Sequence, residues 1–108
     1  IDDEDLVRDS TARLLERSGY RILTAANGER GLALFEEHGA KIDLVLLDLS
    51  MPTMSGHEVL VRLRRMQPSV RVMILTGYAI GDVDFDAAVL RKPFTIAELE
   101  SMITEVLR

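Results

Sequence analysis

At 108 residues the chain has room for one domain around one hydrophobic core. Its 18 acidic against 13 basic residues, a net charge of −5, argue against non-specific binding to nucleic acid or to an anionic membrane. It has no cysteine, which excludes disulfides, thiolate metal sites and a cysteine nucleophile, and no apolar stretch approaches the ~20 residues of a membrane span. The opening "IDDEDL" has no initiator Met and no leader pattern. It reads as the start of a fragment, a single domain over 1–108 whose first strand is truncated to Ile1 and Asp2. The expected compartment is the cytoplasm.

"EDLVRDSTARLLERSG" places apolar or small side chains at Leu6, Val7, Ser10, Leu14 and Leu15, the spacing of an amphipathic helix, with Gly19 where such a helix ends. "YRILTAA" reads as a strand running into the turn signal Asn27-Gly28. "ERGLALFEEHG" predicts a second helix closed by Gly39. "IDLVLLD" is a continuous apolar run, as in a strand buried on both faces, and it ends on the carboxylate of Asp48. Val59, Leu60, Leu63 and Met66 give a third helix stopped by Pro68. "VRVMILT" and "AAVLRK" are two more strands, the second ending at Pro93, and "GYAIGDVDFD" between them is too short to predict a helix. Thr95-x-x-Glu98 is a capping box, followed by Leu99, Met102, Ile103, Val106 and Leu107 on one stripe of a final helix.

Strands that alternate with helices predict a parallel sheet with right-handed crossovers and helices on both faces. Counting Ile1-Asp2 as the tail of a first strand gives five strands, which fits the flavodoxin-like, doubly wound α/β order 2-1-3-4-5. The polar residues then fall into place. Asp2 and Asp3 end the first strand, Asp48 the third, Thr76 the fourth and Lys92 the fifth, so all lie on the sheet edge where such folds bind ligands. Three acids that close repel one another unless cations intervene. A few hard oxygen ligands with room for water suit Mg²⁺. With Lys92 as a fixed positive charge and Thr76 as a hydrogen-bond donor, Asp48 is placed to act as nucleophile toward a phosphoryl group.

"DDE" at 2–4, "LLDLSMPTMSG" at 46–56, "LTG" at 75–77 and "KPF" at 92–94 together resemble the receiver domains of two-component response regulators, in order and spacing over nearly the whole chain. The resemblance implies a phosphoacceptor signalling domain, not an enzyme acting on outside substrates. It implies that Asp48 takes phosphate from a phosphohistidine on a sensor histidine kinase or phosphotransfer domain and then switches conformation to control an output. It further implies Mg²⁺ held by Asp2, Asp3, Asp48 and the backbone carbonyl of Ser50, with Asp3 ligating directly and Asp2 mostly through water. Thr76 and Lys92 would bind the phosphoryl group, and the Lys92–Pro93 bond is expected to be cis. The "TGY" and "KPF" wording is most similar to receivers fused to hybrid sensor kinases, so a fused kinase or effector domain is an expected partner; nucleic acid and membrane are not.

Rival readings are a degenerate receiver that only docks partners, a flavodoxin-type redox carrier and a carboxylate-nucleophile phosphatase. The acids Asp2, Asp3, Glu4 and Asp5 would repel a flavin phosphate, and the phosphatase would want a second acid where Ser50 stands. Arg62, Arg64, Arg65 and Arg71 read as a solvated helix face and its exit loop, and His38 and His57 as surface residues. Two features depart from the family pattern. Val89 occupies the position of a usual Tyr or Phe, three residues before the lysine. Thr76 and Lys92 are 16 positions apart, roughly two helical turns fewer than usual, which predicts a shortened or absent fourth helix and an irregular segment from Ala79 to Asp86. Ser50 and Tyr78, two beyond Asp48 and Thr76, are the residues expected to govern water access to a bound phosphoryl group, and they predict slow self-dephosphorylation.

Overall fold

We describe residues 1–49, 51, 54–77 and 87–108 of a computed structural model of the chain. Among these described residues, four α-helices and three strands follow in the order α1 (Asp5–Arg17), α2 (Gly28–His38), β1 (Val45–Asp48), α3 (Gly56–Met66), β2 (Val72–Thr76), β3 (Ala88–Arg91) and α4 (Ile96–Leu107). The strands form a parallel ladder in the order β1-β2-β3, with Val45 opposite Val72, Leu47 opposite Ile74, and Ile74 opposite Val89. These are the third, fourth and fifth strands of the expected five.

The first two appear as single rungs. Ile1 donates from its nitrogen to the Leu46 carbonyl at 2.8 Å and accepts from the Asp48 N–H at 2.9 Å. Asp2 then donates to the Ala25 carbonyl at 3.0 Å. The Ile1-Asp2 segment therefore lies between Ala25 and β1, as the order 2-1-3-4-5 requires. Residues 20–26 make no regular strand, because a ladder needs successive rungs and only one is present here.

Both faces of the sheet are covered. On one side Val45, Leu47, Val72 and Ile74 pack with Phe35 of α2 and Val59, Leu60 and Leu63 of α3. On the other, Met73, Leu75 and Leu90 pack with Leu15 of α1 and Leu99 and Ile103 of α4. The alternation along β2 feeds both cores, which explains why its five residues are all buried.

Local chemistry sets the helix ends. Asn27, Ser55 and Thr95 each accept a hydrogen bond from the third backbone N–H of their helix, and Glu98 completes the capping box at Thr95. Gly19 takes φ +98°, and the N–H groups of Gly19 and Tyr20 close the end of α1 on the carbonyls of Glu16 and Leu15.

Gly39 caps the end of α2 as expected, right-handed at φ −50°, and leads into a 3₁₀ turn over Gly39–Lys41. Met66 ends α3 and is exposed. One further expectation needs correction. The apolar face of α1 is rotated. Ala12 and Leu15 are its buried residues, while Leu6 is 85% and Leu14 40% exposed. The segment where a shortened fourth helix is expected lies outside the described residues.

Candidate functional site

β1 delivers Asp48 to the carboxyl edge of the sheet as its last residue, with only 1% of its side chain exposed. The Asp48 N–H bonds to Ile1 and the Leu49 N–H to Leu75, so the nucleophile candidate sits between two neighbouring strands. Thr76, fully buried, ends β2 one residue past the level of Asp48, whose partner in register is Leu75. β3 ends at Arg91, and Lys92 adds one further rung, its N–H donating to the Thr76 carbonyl at 2.7 Å. The Lys92–Pro93 peptide bond is cis. After the Ile1-Asp2 rung the chain turns into α1, leaving Asp2 buried and Asp3 exposed.

One carboxylate oxygen from each of Asp2, Asp3 and Asp48 lies within 4.8 Å of the other two. Two unit charges at that separation repel by roughly 3–4 kcal/mol at an effective dielectric of ~20. One ammonium offsets them. Lys92 Nζ stands 3.3 Å from Asp2 Oδ2, 3.6 Å from Asp48 Oδ2 and 3.9 Å from Glu4 Oε1. Burial alone would lower the Lys92 pKa, but the charges of Asp48 and Asp2, the hydrogen bond to Asp2 and the charge of Glu4 together hold it above the usual lysine value. Lys92 hydrogen-bonds Asp2; its distance to Asp48 is an ion-pair distance beyond hydrogen-bond reach.

The donors fit a small hard cation. They are carboxylate oxygens, they carry an excess of negative charge, and the exposed Asp3 leaves a side open to water, which Mg²⁺ keeps in its shell. Asp2 has both oxygens already engaged, Oδ1 with the Glu4 N–H at 2.9 Å and Oδ2 with Lys92. Such an acid contacts a cation most easily through water. Ser50 and Tyr78 lie outside the described residues.

Two supports were not assigned roles from the sequence. Gly56 opens α3 directly over the end of β1, where a Cβ would stand 2.7 Å from Leu49 Cα and 2.9 Å from the Asp48 carbonyl oxygen. Only glycine fits so close to a backbone. Arg8, on α1, donates to the Asp2 carbonyl at 3.1 Å. A glycine at a helix start and an arginine on a helix have no local signal of such contacts.

A doubly wound parallel sheet with three acids, a threonine and a lysine at its carboxyl edge defines a phosphoacceptor-type signalling fold. The chain belongs to the response regulator receiver domain family, whose model matches residues 1–104. It is 34% identical, over 99% of its length, to the sensor kinase CckA of Brucella abortus, and spans 12% of that kinase. Among solved structures, a response regulator receiver domain protein from Methanospirillum hungatei matches with TM-score 0.90 and 32% identity, covering 98% of this chain and 88% of that one. The response regulator TrrA of Thermotoga maritima, solved in complex with Mg²⁺ and BeF, matches with TM-score 0.86 and 34% identity over 98% of this chain and 94% of that one.

Proposed function

We propose that Asp48 is the phosphoacceptor of this receiver domain and takes its phosphoryl group from a phosphohistidine of a sensor histidine kinase or phosphotransfer domain. The observation that carries the reading is a carboxylate 1% exposed at a strand end, 3.6 Å from a lysine ammonium and within 4.8 Å of two more acids. A carboxylate oxygen of Asp48 attacks phosphorus, the bond to the donor imidazole breaks, and the imidazole leaves with its electron pair. Lys92 moves its hydrogen bond from Asp2 to a phosphoryl oxygen, neutralising charge that develops in the transfer. Thr76 donates its hydroxyl to another. Asp2, Asp3, Asp48 and the Ser50 carbonyl would hold Mg²⁺, which supplies further charge neutralisation across the transferring group. The acceptance of BeF with Mg²⁺ by the T. maritima relative supports the same chemistry here.

A phosphodonor has to reach this edge, and an open groove of about 550 Å³ leads to it. Leu6, Val7 and Leu14 of α1 form one wall, Pro93, Phe94 and Ile96 the other, and Lys92 belongs to both groove and site. The exposed leucines of α1 suit an apolar helical face of the donor domain. The chain's partial span of CckA is consistent with a receiver joined to a kinase or effector. No helix among the described residues is long and apolar enough to cross a membrane, and a cytoplasmic kinase partner would place this domain in the cytoplasm.

The test is titration with beryllofluoride in the presence and absence of Mg²⁺. Saturable, Mg²⁺-dependent binding that Asp48→Asn abolishes is expected. Equal binding by the variant would overturn the assignment.

A further inference from the structure

The loop that carries the acids has a support which the phosphoryl chemistry leaves unused. Arg8 is charged yet only 16% exposed. Its Nη2 meets Asp5 Oδ1 at 2.8 Å and its Nε meets Asp9 Oδ1 at 3.4 Å, so the guanidinium is held by α1 itself. Nη1 reaches back out of the helix to the Asp2 main-chain carbonyl at 3.1 Å. With that bond, every polar group of Asp2 is engaged. Its N–H bonds to Ala25, Oδ1 accepts from Glu4 N–H, Oδ2 takes Lys92, and its carbonyl takes Arg8.

The Asp2 carbonyl belongs to the peptide plane that joins Asp2 to Asp3. Fixing the carbonyl fixes the plane, and with it the direction in which the Asp3 side chain leaves the backbone. Asp3 is exposed, so burial does not hold it near Asp48 and the backbone direction matters more.

We propose that Arg8 is a positioning residue for the cation site: its bond to the Asp2 carbonyl orients the Asp2–Asp3 peptide so that the Asp3 and Asp48 carboxylates converge, which raises affinity for a divalent cation. The inference rests on the three acids being the metal site. Charge alone predicts the opposite. A guanidinium bonded to the Asp2 carbonyl puts positive charge near the site and repels a cation, so its removal would tighten binding on Coulombic grounds. The two effects differ in sign, and that makes the question decidable.

The experiment is calorimetric titration of the whole chain with Mg²⁺, comparing the parent with Arg8→Met, Arg8→Lys and Ala12→Gly. Arg8→Met should weaken Mg²⁺ binding by about 10-fold, the scale typical for groups that orient metal ligands. Arg8→Lys should fall between, because an ammonium restores one donor but not the three-way fork. Ala12→Gly perturbs the same helix at a buried position one turn beyond Arg8 but keeps the guanidinium, and should lower the melting temperature while leaving Mg²⁺ affinity within about twofold. In metal-free protein, amide exchange at Glu4, whose N–H bonds to Asp2, should quicken in Arg8→Met. Unchanged or tighter Mg²⁺ binding in Arg8→Met overturns the proposal, as does equal weakening in Ala12→Gly. If the parent binds no Mg²⁺ at all, the metal-site reading itself falls, and the inference with it.

Discussion

Lys92 Nζ faces Asp2, Asp48 and Glu4 at 3.3, 3.6 and 3.9 Å, so one ammonium answers three carboxylates in the metal-free state. Because its folded pKa is raised above the ordinary 10.5, its contribution to stability is fully present below that value and is lost as pH rises through the folded value. The Lys92 contribution should therefore be present in full and independent of pH near neutrality, and stability should fall above about pH 10.5. Denaturant melts across pH 8 to 12 should show that alkaline limb flattened in Lys92→Met; an unchanged limb would separate the ammonium from the stability of the acid cluster. Asp48 carries the complementary prediction. Its carboxylate is almost wholly desolvated and shares its cluster with two others. Asp48→Asn should raise metal-free stability by roughly 1 kcal/mol, or about 4 °C in melting temperature, by removing a buried charge that Lys92 only partly offsets. A melting temperature lowered by several degrees would refute the repulsion argument.

Among the elements, α1 is where burial and sequence pattern part company. The stripe Leu6, Val7, Ser10, Leu14 and Leu15 predicts one buried face, yet the helix packs on Ala12 and Leu15 and turns Leu6 outward. Helical spacing identifies an apolar face but not whether this domain or a partner covers it. If the groove receives the phosphodonor domain, Leu6→Glu should slow transfer from a phosphorylated kinase by about 10-fold or more, as expected where a buried contact residue is lost. Phosphorylation by acetyl phosphate, which needs no protein docking, should be unaffected. Equal slowing with both donors would place Leu6 in the chemistry or the fold instead. The strand ends were far more legible. A parallel sheet brings all its carboxyl ends to one edge, so Asp48, Thr76 and Lys92 could be gathered from chain order alone. Arg8 could not, because an arginine on a surface helix reads as solvated until the loop that folds back onto it is seen. Gly56 lies within the motif "LLDLSMPTMSG", but its close approach to Leu49 is a matter of packing distance.

At the scale of the whole molecule, the acid cluster joins chain segments that are distant in sequence. Asp2 and Asp3 precede α1 and Asp48 ends β1, so a cation held there would tie the start of the chain to the middle of the sheet. A ligand that binds only the folded state stabilises it by about 2.7 kcal/mol at 100 times its dissociation constant. Millimolar Mg²⁺ should accordingly raise the melting temperature of the parent by several degrees and that of Asp3→Asn much less; equal increments would mean that Asp3 is not a ligand. The family and the doubly wound fold were readable because motif spacing and strand–helix alternation extend over almost the full length. The first two strands were less so. Ile1 and Asp2 supply one rung on each side, and residues 20–26 had no longer partner against which to form a regular ladder.

The central claim, that Asp48 accepts a phosphoryl group with Mg²⁺, is tested most directly by incubating the chain with acetyl phosphate and reading its intact mass, followed by peptide mapping after borohydride reduction of the acyl phosphate. The account predicts a mass gain of one phosphoryl group that requires Mg²⁺, maps to Asp48 and disappears in Asp48→Asn. Labelling that persists in chelator, or that maps to another residue in the parent protein, would contradict it.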